Sequence, residues 1–188
     1  MLNQVYATKK AMTQAFSEGK RIPLTVLTVV PHVVIAHKTV EKDGYSAVIL
    51  NVRPKKIKEV LSEDFLEPKT EINLSEILIP GSTVSVMASS KGKGTSGVMK
   101  RWGMHGGPRT HGQSDRQRAP GSIGRGTTPG RVLPGKHMAG RMGNTNTSVK
   151  NLKIHSFDSA TGILEITGCI SGGRGALALI TIIKKNGD

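Results

Sequence analysis

Residues 91–150 read KGKGTSGVMKRWGMHGGPRTHGQSDRQRAPGSIGRGTTPGRVLPGKHMAGRMGNTNTSVK. This stretch holds twelve Lys or Arg against one acid, Asp115, and fourteen of the chain's 23 glycines. Of the formal net charge of +14, +11 falls here, +2 on residues 1–90 and +1 on residues 151–188. A segment so poor in apolar side chains cannot bury enough surface to offset the entropy of ordering it, so alone it is expected to be disordered. A large polyanion would order it, and nucleic acid is the foremost candidate.

Outward from this segment the sequence changes character on both sides. Upstream, IPLTVLTVV (22–30), VVIAHKTV (33–40) and YSAVILNVR (45–53) are rich in β-branched residues and read as strands, with Pro31-His32 and Lys42-Asp43-Gly44 as turns. Asp-Gly is a strong hairpin signal. KKIKEVLSEDFL (55–66) spaces Ile57, Val60, Leu61 and Phe65 by threes and fours, which predicts a short amphipathic helix opened by Pro54. STVSVMA (82–88) follows Pro80-Gly81 as another strand. Downstream, VKNLKIHSF (149–157), GILEITGCI (162–170) and GALALITIIKK (175–185) complete seven strand-like runs, with turns at Asp158-Ser159 and Gly172-Gly173.

Short turns between most of these runs predict a mainly β protein, a small antiparallel barrel or a sandwich. Residues 1–90 and 149–188 together make that β module, and residues 91–148 interrupt it. The two ends of the interruption should emerge close together, as a long two-legged extension. An insertion of this length is unusual inside a compact domain. It fits if it folds on its partner.

Composition narrows the class further. Only six residues are aromatic, few for a protein that grips single strands by base stacking. The one cysteine, Cys169, excludes an internal disulfide and a Cys-rich zinc site, and its apolar surroundings suggest a buried structural thiol. The start, MLNQVYATKK, lacks the pattern of a signal peptide, and no apolar run approaches the ~20 residues of a membrane span. Asn146-Thr147-Ser148 matches a glycosylation acceptor, discounted here for want of a secretory signal. The reading is a soluble, cytoplasmic protein whose pI near 10.2 favours a polyanionic partner over a membrane.

Several motifs invite catalytic readings that the details oppose. Gly130–His137 approximates a phosphate-binding P-loop, but His137 stands where magnesium binding needs Ser or Thr, and Pro134 stiffens the loop. His105, His111 and His137 have no cysteine and only Asp115 for company, so hydrogen bonding or stacking on RNA suits them better than a metal. His32, His37 and His155 fall in or beside strands and read as surface or satisfied residues. No nucleophile elbow, electropositive cysteine or paired carboxylates are present, so no catalytic residue, cofactor or small-molecule substrate is expected. The cations of the segment are spread among Gly, Pro, Ser and Thr. Glycine lets main-chain N–H groups approach phosphates, spaced Arg can fork onto phosphates or lie on bases, and Pro108, Pro120, Pro129 and Pro134 set bends. That texture suits one irregular RNA surface. A nonspecific polybasic linker, a DNA-compacting protein and an enzyme acting through Gly130–His137 remain the rivals.

Gly121-Ser122-Ile123-Gly124, Thr128-Pro129-Gly130 and Gly135 through Asn144 (GKHMAGRMGN) together resemble the signature of the universal large-subunit ribosomal protein L-three family, bacterial type. Lys91-Gly92-Lys93-Gly94 with Gly97, Lys100, Arg101 and Trp102 is similar to the start of that family's extension. Lys10, Met12-Thr13 and Phe16 resemble its opening motif. The similarity spans essentially the whole chain.

The resemblance implies a β-barrel of the translation-protein type built from both flanks. It implies a central extension threading into large-subunit rRNA, its tip approaching the peptidyl transferase centre, and early assembly that organises the rRNA's 3′ region. Neighbouring large-subunit proteins are implied partners. Ile123 to Thr128 would form the tip, with Ser122, Ile123, Arg125 and Thr127 facing RNA. Lys91, Lys93, Lys100, Arg101, Arg109, Arg116, Arg118, Arg131, Lys136 and Arg141 would line the legs, with His105, His111, His137 and Asn144 as further RNA contacts. Trp102 would wedge between bases or anchor the extension. Two departures stand out: Thr127 occupies a position where some bacterial members carry a methylated glutamine, and the stretch from Pro54 to Pro80 is shorter than usual. The catalytic centre nearby is RNA, so the resemblance implies no enzyme.

Overall fold

The computed structural model describes residues 2–17, 19–53, 56–62 and 67–185. In chain order the elements are β1 (Gln4–Ser17), β2 (Lys20–Thr28), β3 (Val33–Lys38), α1 (Val40–Asp43), β4 (Ala47–Arg53), β5 (Lys56–Leu61), α2 (Leu74–Ile77) and β6 (Thr83–Ser89). β7 (Thr95–Ser96), α3 (Val98–Trp102), β8 (Gly140–Arg141), β9 (Asn146–Asp158), β10 (Ile163–Thr167) and β11 (Leu177–Lys184) follow. The protein is mainly β, and its helices are single turns.

Six strands close on themselves in the order β1-β11-β6-β9-β10-β2, every pair antiparallel. Closure removes the unpaired edges that an open sheet would present. Alternate residues point inward, as the two-residue period of a strand requires. Val5 and Ala7 of β1, Val84, Val86 and Ala88 of β6, Leu164 and Ile166 of β10, and Ala178, Ile180 and Ile182 of β11 are all buried. A second sheet, β3-β4-β5, adds Val34, Val48, Leu50 and Val60 to the same core, and Ile77 and Leu78 close it from α2. Turn chemistry holds the ends. Asp158 accepts from Ala160 N–H and the Thr161 hydroxyl, which keeps its carboxyl below the usual range. Gly162 has φ +65°, and a Cβ there would lie 2.5 Å from the Val29 carbonyl oxygen.

The structure departs from the sequence-based expectations in several places. Residues 56–61, expected in a helix, are strand β5, paired along β4 with Val60 opposite Val48. Only Val60 of its apolar residues is buried; Ile57 and Leu61 are exposed. A helix that short is marginal without a packed face, whereas β4 offers a ready ladder. Pro54 and Phe65 of that expected helix lie outside the described residues. The Asp43-Gly44 hairpin forms, but with the extra turn α1 before Gly44, whose φ is +79°. Cys169, expected to be buried, is exposed. β10 ends at Thr167, Gly168 turns the chain at φ +86°, and Ile170 takes the buried position instead. His155 is exposed, but His32 is wholly buried.

His32 lies between β2 and β3, and its Nε2 accepts from Tyr6 N–H at 3.0 Å. That bond fixes the proton on Nδ1, which has no hydrogen-bond partner among the described residues. Burial lowers the imidazole's pKa, against the raising effect of nearby backbone groups. On the outer face, Lys38 pairs with Glu59 at 2.8 Å and donates to the Tyr45 hydroxyl, which donates to Glu59. These bonds hold the Glu59 carboxyl below its ordinary range. The pair is solvent-exposed, and such pairs add little to stability.

The chain divides into two compact units. One takes the residues before Lys91 and after Asn144; the other is Lys91–Asn144. β9 already begins at Asn146, so the return strand starts three residues before Val149, where the sequence pattern suggested.

Candidate nucleic-acid interface

The Lys91–Asn144 unit is held at its root by backbone pairing. β7 pairs with β8, Thr95 opposite Arg141 and Ser96 opposite Gly140. Lys93 N–H donates to the Met142 carbonyl and Met142 N–H to the Gly94 carbonyl, both at 2.9 Å. Gly143 makes the close approach possible: its φ is +73°, and a Cβ would lie 2.1 Å from the Lys91 carbonyl oxygen. Only Gly tolerates both conditions. Ser96 and Val98 are the unit's only buried residues.

Above the root, α3 runs from the extended Gly97 to Gly103, whose φ of +71° ends it with an N–H bond to Met99. The turn presents Arg101 and Trp102 to the returning leg. Arg101 Nη1 and Trp102 Nε1 both donate to the Met138 carbonyl, at 2.8 and 2.9 Å. Trp102 stacks on His137 with ring centroids 4.0 Å apart and planes 3° from parallel, and the Arg101 guanidinium lies 4.9 Å from the Trp102 ring. In this structure Trp102 ties the two legs of the unit together as a clamp. His137 spends one ring face on that anchor.

Further out the chain makes a side loop. Gly107 N–H donates to the Gln117 carbonyl at 3.1 Å, and a Cβ on Gly106 would lie 2.2 Å from that oxygen. Arg109, His111 and Asp115 sit within the loop and Arg116 at its closure. From 108 to 139 every residue is exposed. The tip is shaped by local turns: Ser122 Oγ donates to the Gly124 carbonyl, and Gly130 N–H reaches the Gly126 carbonyl. One concavity there is lined by Ser122, Ile123, Arg125, Arg131, Leu133 and Lys136.

Lys91 and Lys93 stand at the root, Lys100 with Arg101 and Trp102 on α3, and His105 between α3 and the side loop. Arg118 precedes the tip, Thr127 lies on it, and Arg141 and Asn144 are in the returning leg. All are exposed except Arg101, which is half-buried. Among the described residues no ion pair neutralises any of these charges, and of the cations only Arg101 makes a side-chain hydrogen bond within the protein. Gly130–His137 opens no helix, so it lacks the frame of a P-loop. Such a surface can bind phosphates through many separate cations and approachable main chain, and it has no arrangement for bond cleavage.

The clamp was invisible to sequence reading, because its partners are 36 residues apart and a carbonyl leaves no side-chain signal. A lone Trp beside Arg in a glycine-rich segment was the available hint.

The family model described as ribosomal protein L3 matches residues 9–168. The large ribosomal subunit protein uL3 of Herpetosiphon aurantiacus is 39% identical over 204 residues, covering 96% of each chain. That of Dehalococcoides mccartyi is 39% identical over 208 residues, covering 100% of both, and that of Deinococcus radiodurans is 34% identical over 195, covering 94% of this chain and 92% of its own. With the match running through barrel and extension alike, the chain belongs to the ribosomal protein L3 family.

Proposed function

We propose that this chain is a structural protein of the large ribosomal subunit and that Lys91–Asn144 is its principal rRNA-binding element. The chain is not an enzyme, and its place is cytoplasmic, within the subunit, beside rRNA and neighbouring large-subunit proteins. The observation that carries the reading is a coreless finger bearing eleven Lys or Arg whose charges meet no carboxylate among the described residues. Like charges held this close repel, and rRNA phosphates are the counter-charge that would relieve them.

The mechanism is charge neutralisation with shape. β7–β8 pairing and the Trp102 clamp hold the legs together at the root, so the cations beyond it reach crowded rRNA helices from one tethered base and take their fixed places there. Lys91, Lys93, Lys100, Arg109, Arg116, Arg118 and Arg141 take phosphates along the way. At the tip, Arg125, Arg131 and Lys136 surround a concavity into which RNA can fit, and glycine allows main-chain contact with phosphate oxygens. By family resemblance, the barrel is of the translation-protein type, the tip reaches toward the peptidyl transferase centre, and the protein organises the 3′ region of the rRNA early in assembly.

The test is affinity for a large-subunit rRNA 3′-domain fragment and for duplex DNA at matched salt. The fragment should bind more tightly. If about eight phosphates are engaged, log affinity should fall against log salt with a slope of roughly −6 to −7. Equal affinity for both nucleic acids would make the chain a nonspecific polyanion binder. Nucleotide turnover abolished by Lys136→Ala would instead favour an enzyme.

A further inference from the structure

We infer that the concavity between the β9–β10 turn and residues 71–75 is a docking site for an arginine-bearing segment of a neighbouring large-subunit protein. The inference rests on the reading of this chain as a subunit protein, and it gives the chemistry of one such neighbour. Two fixed walls form the site. On one side Val29 N–H donates to the Gly162 carbonyl at 2.8 Å, and a Cβ on Gly162 would have no room beside the Val29 carbonyl, so the turn is pinned to the end of β2. On the other side Lys69 N–H donates to the Val34 carbonyl at 2.8 Å. Val34 N–H donates to the Thr70 carbonyl and Ile72 N–H to the His32 carbonyl, both at 3.1 Å, which lays residues 69–72 along the start of β3. Asn73 then turns the chain into α2, its side chain accepting from Ser75 N–H and donating to Glu76.

Between the walls lies a cavity of about 470 Å³. Val29, Ile72, Leu74 and Phe157, all packed on the core, give it an apolar lining. Glu71 lines it too, and its exposed carboxylate has no partner among the described residues.

The charge balance selects the occupant. The chain carries +14, yet residues 62–90 hold five acids against Lys69 alone, net −4, and residues 154–168 hold two acids and no Lys or Arg. No Lys, Arg or His lines the cavity among the described residues; Lys69, two residues before Glu71, lies outside the lining. A phosphate would meet Glu71 there, with Glu76 and Asp158 next to lining residues and no counter-cation, so RNA is disfavoured. A cationic side chain meets the opposite balance. Arginine fits better than lysine, because its planar guanidinium can fork onto a carboxylate and lie on an aromatic face, and Glu71 and Phe157 offer both. Its aliphatic stem would cover Ile72 and Leu74.

The test puts a photo-cross-linking amino acid in place of Ser159, an exposed lining residue, in the full chain within purified large subunits. The expected product is a cross-link to a second protein, within a few residues of an Arg. E71R should lower its yield about fivefold, with the melting temperature and the rRNA salt slope unchanged. Reversing that Arg to Glu alongside E71R should restore the yield, and E71Q, which keeps the side chain's shape, should lower it less. A cross-link to rRNA, one to another copy of this chain, no cross-link at all, or a yield indifferent to E71R would each overturn the site. In all four cases the chain is still found in the subunit and the functional reading stands. A chain absent from purified large subunits would bring down that reading and this inference together.

Discussion

The β unit buries Val5, Val86, Leu164, Ile166 and Ile180 completely, while the Lys91–Asn144 unit buries only Ser96 and Val98 and is exposed throughout from 108 to 139. Full burial of an aliphatic side chain contributes about 1.5–3 kcal/mol. The β unit collects that contribution many times over, against the cost of ordering its backbone. The extension has almost none of it and depends on β7–β8 pairing, the Arg101–Trp102 clamp and positive-φ glycines. One unit is specified by its interior. The other is specified by what its surface can meet.

This contrast can be broken most forcefully in the barrel. Leu164→Ala or Ile166→Ala should destabilise the β unit by about 2–5 kcal/mol, seen in thermal melts, because each leaves a cavity in a closed core. Ile123→Ala at the tip should leave the same melt within about 0.5 kcal/mol. A comparable loss from Ile123→Ala would mean the extension has a core of its own.

His32→Leu ranks next. It removes the acceptor for Tyr6 N–H and should cost about 1–3 kcal/mol. The pH dependence follows from the lowered pKa of His32. The unfolded chain binds a proton at about 6.5, before the folded one does, so this stability is complete above that pH and is lost as pH falls below it. His32→Gln, which keeps an acceptor but cannot titrate, should flatten the acid side of the melting profile. An unchanged profile would remove His32 as its cause.

A smaller effect is confined to the extension. Trp102→Ala removes a ring stack worth about 0.5–1.5 kcal/mol and the indole bond to Met138. It should speed amide exchange at Lys93 and Met142, with the barrel's exchange unchanged. Smallest is Arg118→Gln, which should leave melting untouched yet lower the salt slope for rRNA by about 0.7–0.9.

Much of the β unit was legible, because runs such as GILEITGCI and GALALITIIKK carry β-branched residues between clear turns. β1 was not. Lys9 and Lys10 fall together at its bulge and hide the alternation, and its outer half exposes Met12 and Phe16 beyond the barrel pairing. β5 was misread because three-and-four spacing of Ile57, Val60 and Leu61 satisfies a helix as well as an edge strand. The density of charge and glycine in residues 91–148 was legible, since neither depends on distant contacts. The extension's internal anchors were not, because they are made with carbonyl groups, which every residue carries alike.

The central claim is that the extension gains its fixed shape from rRNA. Hydrogen exchange of residues 91–144 tests it most directly, measured in the free chain and again in the purified large subunit. The account predicts exchange near that of an unfolded chain across 108–139 when free, strong protection in the subunit, and a β unit protected in both. Firm protection of 108–139 in the free chain, or none in the subunit, would contradict it.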